Sequence, residues 1–350
     1  MTLQTIADRV GVSRMTVSNA FSKPDQLSAP LRERILAAAQ ELGYVGPDPA
    51  ARALARGTTG AVGVVFTHSL RFAFTDLVAT GFLGAIAEEL APTGLSLTLL
   101  TSADDGDIVP ARDVAMDGAL VYSCDWTSRA VDYLHRRRLP LVYVDQDPAD
   151  DIPSVNVDDR GGARAAARHL LDLGHRRIGL LLSSVHGPYG LLDPGRIDPD
   201  EIEGHSSRQR LLGWLDELGP AGVDPIVVQQ DGTGLEQARW GARLLLDRPD
   251  RPTAVLCFSD AVAYGALQVA AELGIDVPGQ LSVVGFDDNP LAAQVRPALT
   301  TVRQDIAAKG RAAAAALTAT IERARTGAAA PAEHVVLPTE LVIRESTGPR

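Results

Sequence analysis

Residues 2–21, Thr2-Leu-Gln-Thr-Ile-Ala-Asp-Arg-Val-Gly-Val-Ser-Arg-Met-Thr-Val-Ser-Asn-Ala-Phe21, decide how the chain is read. Thr2 suits a helix N-cap, and the helix it opens carries Ile6, Ala7 and Val10 on one face. Gly11 supplies the left-handed backbone that a tight turn needs, and Ser13 caps a second helix. That helix turns Val17, Ala20 and Phe21 inward and offers Arg14, Met15, Ser18 and Asn19 to solvent. Ala7, Gly11 and Val17 let two short helices cross closely around a sharp turn. This is the sequence form of a helix-turn-helix, whose second helix can enter a DNA major groove. The alternative is a helical hairpin that merely opens a larger fold, and the following residues favour DNA binding. Ser28 caps a third helix, Ala29 to Leu42, with Leu31, Ile35, Ala38, Ala39 and Leu42 at helical spacing and Gly43 at its end. Its Arg32 and Arg34 face either phosphate or solvent.

After the third helix, Gly46 and Pro47 break regular structure, and Asp48 caps a short helix with Pro49 in its first position. Ala50 to Arg56 make two turns, a length that is marginal alone. Leu54 stands between Arg52 and Arg56. That grouping suits a minor-groove wedge, in which an apolar side chain unstacks a base step and arginines meet phosphate. An ordinary linker has the same composition.

The chain has 350 residues and a formal net charge of −11, which read whole argues against nucleic acid. Residues 1–56 hold seven Lys/Arg and five Asp/Glu, a charge of +2, and the remainder carries −13. A mildly basic head on an acidic body fits a DNA binder whose body stays off the phosphates. The start has no basic region followed by an apolar core, so no secretory signal is expected, and no run of 18 apolar residues spans a membrane. Cys124 and Cys257 stand alone beside apolar runs, without metal-ligand spacing; a reducing, cytoplasmic location is expected.

From Gly60 onward, apolar runs alternate with helical patterns. The runs Ala61–Phe66, Leu95–Leu100, Gly118–Tyr122, Leu139–Val144, Arg177–Leu182, Pro225–Val228, Ala254–Phe258 and Leu281–Val284 read as buried parallel strands. Helical stretches are Thr75–Ala91, Arg160–Leu173, Ser207–Leu218, Leu235–Leu246, Ala261–Leu273 and Asp305–Arg325. Such alternation predicts right-handed βαβ units in doubly wound sheets, one wide or two, with ligand at the strand carboxyl ends. Residues 183–206 form a Gly/Pro/Asp-rich loop suited to a lid, and Glu333–Val342 is the last predicted strand.

These residues together resemble the LacI/GalR family of transcriptional repressors along essentially the whole chain. The resemblance rests on Thr5-Ile-Ala-Asp-Arg-Val-Gly-Val-Ser13, Thr16-Val-Ser18, Leu42-Gly-Tyr44, Ala51-Arg-Ala-Leu54 and Asp117-Gly-Ala-Leu-Val121. It continues through His169-Leu-Leu-Asp-Leu-Gly-His-Arg-Arg-Ile178, Pro278-Gly-Gln-Leu-Ser-Val-Val-Gly-Phe-Asp-Asp288 and Arg344-Glu-Ser-Thr347. The implied fold is α/β. A helix-turn-helix head (1–46) and a hinge helix with linker (47–59) precede a two-lobed core like periplasmic binding proteins (60–350). One lobe takes about 60–157 and 303–325, the other about 158–302 and 326–350, joined through three crossovers.

The resemblance implies that Arg14, Met15 and Asn19 read bases, with Thr5, Ser13, Thr16 and Ser18 around them, and that Leu54 wedges the operator centre beside Arg52. Asp48 departs from the family's usual Asn and places a charge near phosphate. In the cleft, Arg210 and Asp287 match the effector-binding positions, where an arginine fork and a carboxylate hold vicinal hydroxyls or a purine edge. Asp145 matches a further contact, with Thr67, Tyr122 and Ser259 beside them; Ser259 departs from a common Asn. His68 and Arg71 follow the first strand and are placed near the cleft, whereas Trp214 reads as core. The implied function is a dimeric regulator, a repressor, on a palindromic double-stranded operator, controlled by a sugar-like effector, with a nucleoside, nucleobase or protein co-repressor as the alternative. No cofactor or metal is expected. An enzyme on the same scaffold finds no Walker loop, no Gly-x-Ser-x-Gly elbow and no metal-spaced cluster. A secreted binding protein does not explain the head.

Overall fold

The computed structural model describes residues 2–22, 24–46, 48–66, 70–101, 109–123, 128–184, 188–193, 198–199 and 202–350. It divides into two units, Met1–Gly60 and Ala61–Arg350. Among the described residues no helix is long and apolar enough to cross a membrane.

In the first unit, α1 (Leu3–Val10) starts where the Thr2 hydroxyl accepts the Thr5 N–H at 3.4 Å, and stops at Gly11, φ +77°. There the Gly11 and Val12 N–H groups both return to the Ala7 carbonyl. α2 (Arg14–Ser22) begins with the Ser13 hydroxyl accepting the Thr16 N–H at 3.0 Å. α3 (Ala29–Glu41) ends as expected at Gly43, φ +67°, where Gly43 N–H bonds the Gln40 carbonyl and Tyr44 N–H the Ala39 carbonyl. Ser28 does sit at the N-cap of α3, but its side chain makes no cap hydrogen bond; Pro30 removes one of the N–H groups it would meet. The three helices bury Ile6, Ala7, Val17, Ala20, Ile35, Ala38 and Ala39, with Val10, Phe21, Leu31 and Leu42 packed around them. Arg32 and Arg34 are tied into this fold. Arg32 Nε donates to the Ala20 carbonyl and Arg34 Nη2 to the Val10 carbonyl, each at 3.3 Å, closing the ends of α2 and α1. α4 (Pro49–Arg56) is capped by Asp48, whose Oδ1 accepts the Ala51 N–H at 2.9 Å, and ends at Gly57, φ +67°.

The second unit alternates strand and helix. Its first half runs β1 (Ala61–Phe66), α5 (Leu70–Thr75), α6 (Leu77–Leu90), β2 (Ser96–Thr101), α7 (Pro110–Asp113), β3 (Gly118–Tyr122), α8 (Arg129–Arg136), β4 (Leu141–Val144) and β5 (Ser154–Val157). Next come α9 (Asp159–Asp172), β6 (Ile178–Ser184), β7 (Gly190–Leu191), α10 (His205–Leu218), β8 (Ile226–Asp231), α11 (Leu235–Leu246), β9 (Ala254–Cys257) and α12 (Asp260–Glu272). The chain closes with β10 (Ser282–Asp287), α13 (Pro290–Gln294), β11 (Thr300–Gln304), α14 (Ile306–Thr326), β12 (His334–Leu337) and β13 (Thr339–Val342).

Two sheets result. One, ordered β12-β5-β4-β3-β1-β2, is parallel throughout. The other, ordered β13-β11-β10-β9-β6-β8-β7, is parallel inside, with β13 and β7 antiparallel at its edges. The chain passes between sheets at β5–α9, β11–α14 and β12–β13. Each sheet carries an apolar cluster on both faces. These packed faces are why the interior strands read as continuous hydrophobic runs.

Two sequence expectations are corrected here. The single last strand Glu333–Val342 is two strands on different sheets, because Pro338 lacks the N–H that a continuing ladder needs. Of the segment 326–350 assigned to the second lobe, β12 accordingly lies in the first sheet, pairing with β5 from His334↔Ser154 to Leu337↔Val157, and β13 in the second. Strand β11 likewise carries Arg303 and Gln304 in the second sheet, against a boundary drawn at 303. Trp214 lies 1% exposed in the core, as its helical spacing predicts. The 183–206 loop yields the short edge strand β7 on β8, and its Ile202 is buried in the core.

Candidate functional site

On the head, Arg14 and Met15 project from the start of α2, Met15 being 69% exposed, and Asn19 lies one turn further along the same helix. Asn19 Nδ2 donates to Gln26 Oε1 at 3.3 Å, which steadies the amide. The Ser13 and Thr16 hydroxyls bond each other at 2.8 Å, and Thr5 bonds the Thr2 hydroxyl at 3.2 Å. Those four hydroxyls therefore organise helix starts. Ser18 is half-buried, and its carbonyl accepts the Ser22 hydroxyl. No described side chain of α4 is buried; Leu54 is 86% exposed and Arg52 is exposed on the same helix.

In the second unit, a cleft of about 800 Å³ opens between the carboxyl ends of the two sets of strands. Phe66, Tyr122 and Asp145 reach it from β1, β3 and the end of β4. Ser183, Phe258, Ser259, Asp287 and Gln304 reach it from the ends of β6, β9, β10 and β11, and Arg210 from α10.

Arg210 is the most constrained group of the floor. Its Nε donates to Asp159 Oδ1 at 2.7 Å and its Nη1 to the Phe258 carbonyl. The guanidinium carbon lies 3.6 Å from the centre of the Phe286 ring and 4.5 Å from that of Phe258, a cation–π arrangement on two rings. Nη2 stands 3.7 Å from Asp287 Oδ1, too far for a hydrogen bond. Asp287, at φ +115°, accepts from Gln304 Nε2 at 2.7 Å. Asp145, at φ +52°, accepts on Oδ2 from Lys309 Nζ at 2.7 Å, and Lys309 also donates to Gln304 Oε1 at 2.9 Å. Asp145 Oδ1 and Asp159 Oδ2 are buried without a hydrogen-bond partner.

The electrostatics follow from burial. Desolvation pushes the Asp287 carboxyl up to about 7, while Arg210 pulls it down. Burial also raises Asp159, and it raises Asp260 well above an ordinary aspartate, helped by the charge of Asp287. Asp260 accepts from the Thr301 hydroxyl and, at 2.9 Å, from the Asn289 N–H, beneath the floor. At the mouth, Asp147 beyond β4 meets His205 at 2.8 Å and Arg208 of α10, joining the two lobes.

The structure thus brings Arg210, Asp287, Asp145, Tyr122 and Ser259 to one cleft. The Ser259 hydroxyl, however, caps α12, accepting the Val262 N–H at 3.3 Å. Tyr122 is 6% exposed and stacks on Phe82 at 4.8 Å, so its ring serves as wall. Thr67 and His68 lie outside the described residues, as does Cys124; Arg71 is exposed on α5 and is not among the side chains lining the cleft. Sequence reading missed Asp159, Gln304 and Lys309. Lys309 is 164 residues from Asp145, and in sequence it is one more polar position of an alanine-rich helix.

Comparison with known proteins agrees with both halves. A model of the bacterial regulatory proteins of the lacI family matches residues 2–46, and one of the periplasmic binding protein-like domain matches residues 167–347. An HTH-type transcriptional regulator of Mycolicibacterium smegmatis is 38% identical over 327 residues, 89% of this chain and 88% of that protein. The structure of the regulator CelR in complex with cellobiose superposes with a TM-score of 0.70 at 27% identity, covering 99% of each chain. The lac repressor dimer bound to operator and the anti-inducer ONPF gives 0.78 at 25% identity, again over 99% of each. With a helix-turn-helix head, a two-sheet core and relatives matched end to end, this chain belongs to the lacI family of transcriptional regulators.

Proposed function

We propose that this regulator binds a two-fold-symmetric operator as a homodimer and that a small polyhydroxylated effector, a sugar or sugar derivative, controls it from the cleft. The observation that carries the effector half is the floor geometry. Arg210 is locked by Asp159 and two aromatic rings, its Nη2 faces Asp287 across 3.7 Å, and Asp145 Oδ1 stands buried and unpartnered. A pair of neighbouring hydroxyls satisfies these groups together, donating to the carboxylates and accepting from the guanidinium. Phe66, Phe72 and Phe258 give the same cleft apolar faces for a sugar ring. CelR, of the same fold, is known with cellobiose, which supports this reading. In this reading Arg14, Met15 and Asn19 on the head read base edges and Leu54 wedges the minor groove, with Thr5, Ser13, Thr16, Ser18 and Arg52 completing the interface. Effector binding shifts the balance between lobe arrangements, and with it operator affinity.

A thermal-shift screen of the full chain against sugars, sugar phosphates, nucleosides and nucleobases tests the effector half. A ligand at about 100 Kd adds roughly 2.7 kcal/mol of apparent stability. A stabilising sugar whose effect disappears in Arg210→Ala and Asp287→Ala supports the reading. A hit untouched by both changes, or a hit confined to nucleobases, overturns it.

A further inference from the structure

We infer that the effector carries no negative charge: the cleft accepts neutral or aminated polyhydroxyl compounds and rejects their phosphorylated or carboxylated counterparts. This deepens the reading of the cleft as the effector site and rests on it. Among the described residues, the lining contributes five carboxylates, Asp76, Asp145, Asp147, Glu203 and Asp287, against Arg208, Arg210 and His205. The cations are already answered within the protein. Arg208 and His205 both bond Asp147, and Arg210 bonds Asp159 and faces Asp287. Behind the lining, Lys309 bonds Asp145, and Asp159 bonds Arg210, so the buried cations are matched there as well. Arg210 therefore keeps a donor in Nη2 for a neutral hydroxyl, but its charge is already offset by Asp159 and Asp287, so the described floor offers an anionic group no unbalanced cation.

The polar atom left over at the floor is of the opposite kind. Asp145 is 5% exposed and lines the cleft, and its Oδ1 has no hydrogen-bond partner. A carboxylate oxygen only accepts, so it is satisfied by a hydroxyl or an ammonium and repels a phosphate. Lys309 makes the selectivity local. It balances Asp145 from behind, so Asp145 stays fixed with one oxygen turned from the lysine.

The test is titration calorimetry of the full chain with matched compounds: D-glucose, D-glucosamine and D-glucose 6-phosphate; D-ribose and D-ribose 5-phosphate; cellobiose and cellobionate. Wherever a set binds, the neutral or aminated member should bind at least tenfold more tightly than the anionic one. A set whose anion binds more tightly overturns the inference and leaves the sugar-effector reading standing. Silence of every compound, with hits only among nucleobases in the thermal-shift screen, overturns both. Asp145→Asn leaves Lys309 without its countercharge and should shrink the discrimination at least tenfold. Asp145→Asn combined with Lys309→Met removes the stranded cation as well and should recover part of the discrimination, the part set by net charge rather than by the bare oxygen. An unchanged ratio in a folded Asp145→Asn protein, or a double variant no more discriminating than Asp145→Asn, overturns the charge argument. Circular dichroism establishes folding in each case.

Discussion

Lys309 Nζ lies 2.7 Å from Asp145 Oδ2, and both side chains are buried, 1% and 7% exposed. The pair joins α14 to the end of β4, and through Gln304 it reaches Asp287 in the other lobe. A buried ion pair contributes little over an apolar pair of the same shape, but removing one partner strands the other charge. Lys309→Met should therefore lower stability by about 3–5 kcal/mol, and adding Asp145→Asn should recover most of that loss. Urea unfolding of the three proteins decides it. A double variant no more stable than Lys309→Met would mean that packing, not charge, sets the cost.

Burial pushes the Asp287 carboxyl up to about 7 from an ordinary value of 3.8, against the pull of Arg210. Between those values the folded chain keeps a proton that the unfolded chain has released. Its contribution to stability is thus largest in acid, falls as pH rises from about 4 to about 7, and is level above. Asp287→Asn should flatten that part of the slope. Thermal melting at pH 5.5 and 7.5 without added sugar should show wild type losing more than the variant on going to the higher pH. Equal losses would place the proton elsewhere.

Arg210 combines charge with shape. Its Nε and Nη1 are occupied by Asp159 and the Phe258 carbonyl, and its plane lies on Phe286. Lysine keeps the charge but lacks the planar fork. Arg210→Lys should leave a folded protein whose thermal shift with the best sugar of the screen falls by at least half. A shift equal to wild type would reduce Arg210 to a general positive charge.

Across the cleft mouth, partial burial pushes the Asp147 carboxyl up, but hydrogen bonds from Arg208 and His205 outweigh it and hold the group below an ordinary aspartate. The clasp is exposed on the Asp147 side, 56% for its side chain, so salt screens it. Asp147→Ala should shift the lobes toward a more open arrangement, seen as a larger radius of gyration of the effector-free protein in X-ray scattering. High salt should move wild type the same way and leave the variant unmoved. An unchanged radius in the variant would show that the clasp follows closure without favouring it.

What the sequence made legible was whatever repeats locally. Ile6, Ala7, Val17 and Ile35 announce the head because helical spacing and Gly11 act over a few residues, and Leu235–Leu246 was read to its ends. Strand β5, Ser154-Val-Asn-Val157, was missed because its alternate residues are polar yet buried: Asn156 bonds the backbone of Gln146, and Ser154 bonds His334. Strand β11 was missed for the same reason, with Thr300 and Thr301 wholly buried. In the cleft, Arg210 and Asp287 came from family motifs, whereas Asp159, Gln304 and Lys309 depend on contacts that only the folded crossovers create. Pairing over such separations leaves no local pattern.

Leu54 tests the other half of the molecule. It is 86% exposed on a two-turn helix without a buried described side chain, so folding of the unit gives no reason for a leucine there. A wedge between base steps gives one, since its apolar surface is covered only when DNA is bent around it. Leu54→Ala should leave the melting temperature of the protein unchanged. On an operator recovered by selection from random duplexes, it should weaken specific binding by about 1–3 kcal/mol, the scale of one lost base-step contact. Binding to unrelated duplex, which depends on phosphate charge, should change far less. Gel-shift titrations at one fixed salt concentration measure both. Equal losses on the two DNAs would remove Leu54 from the groove and assign the helix to backbone contact alone.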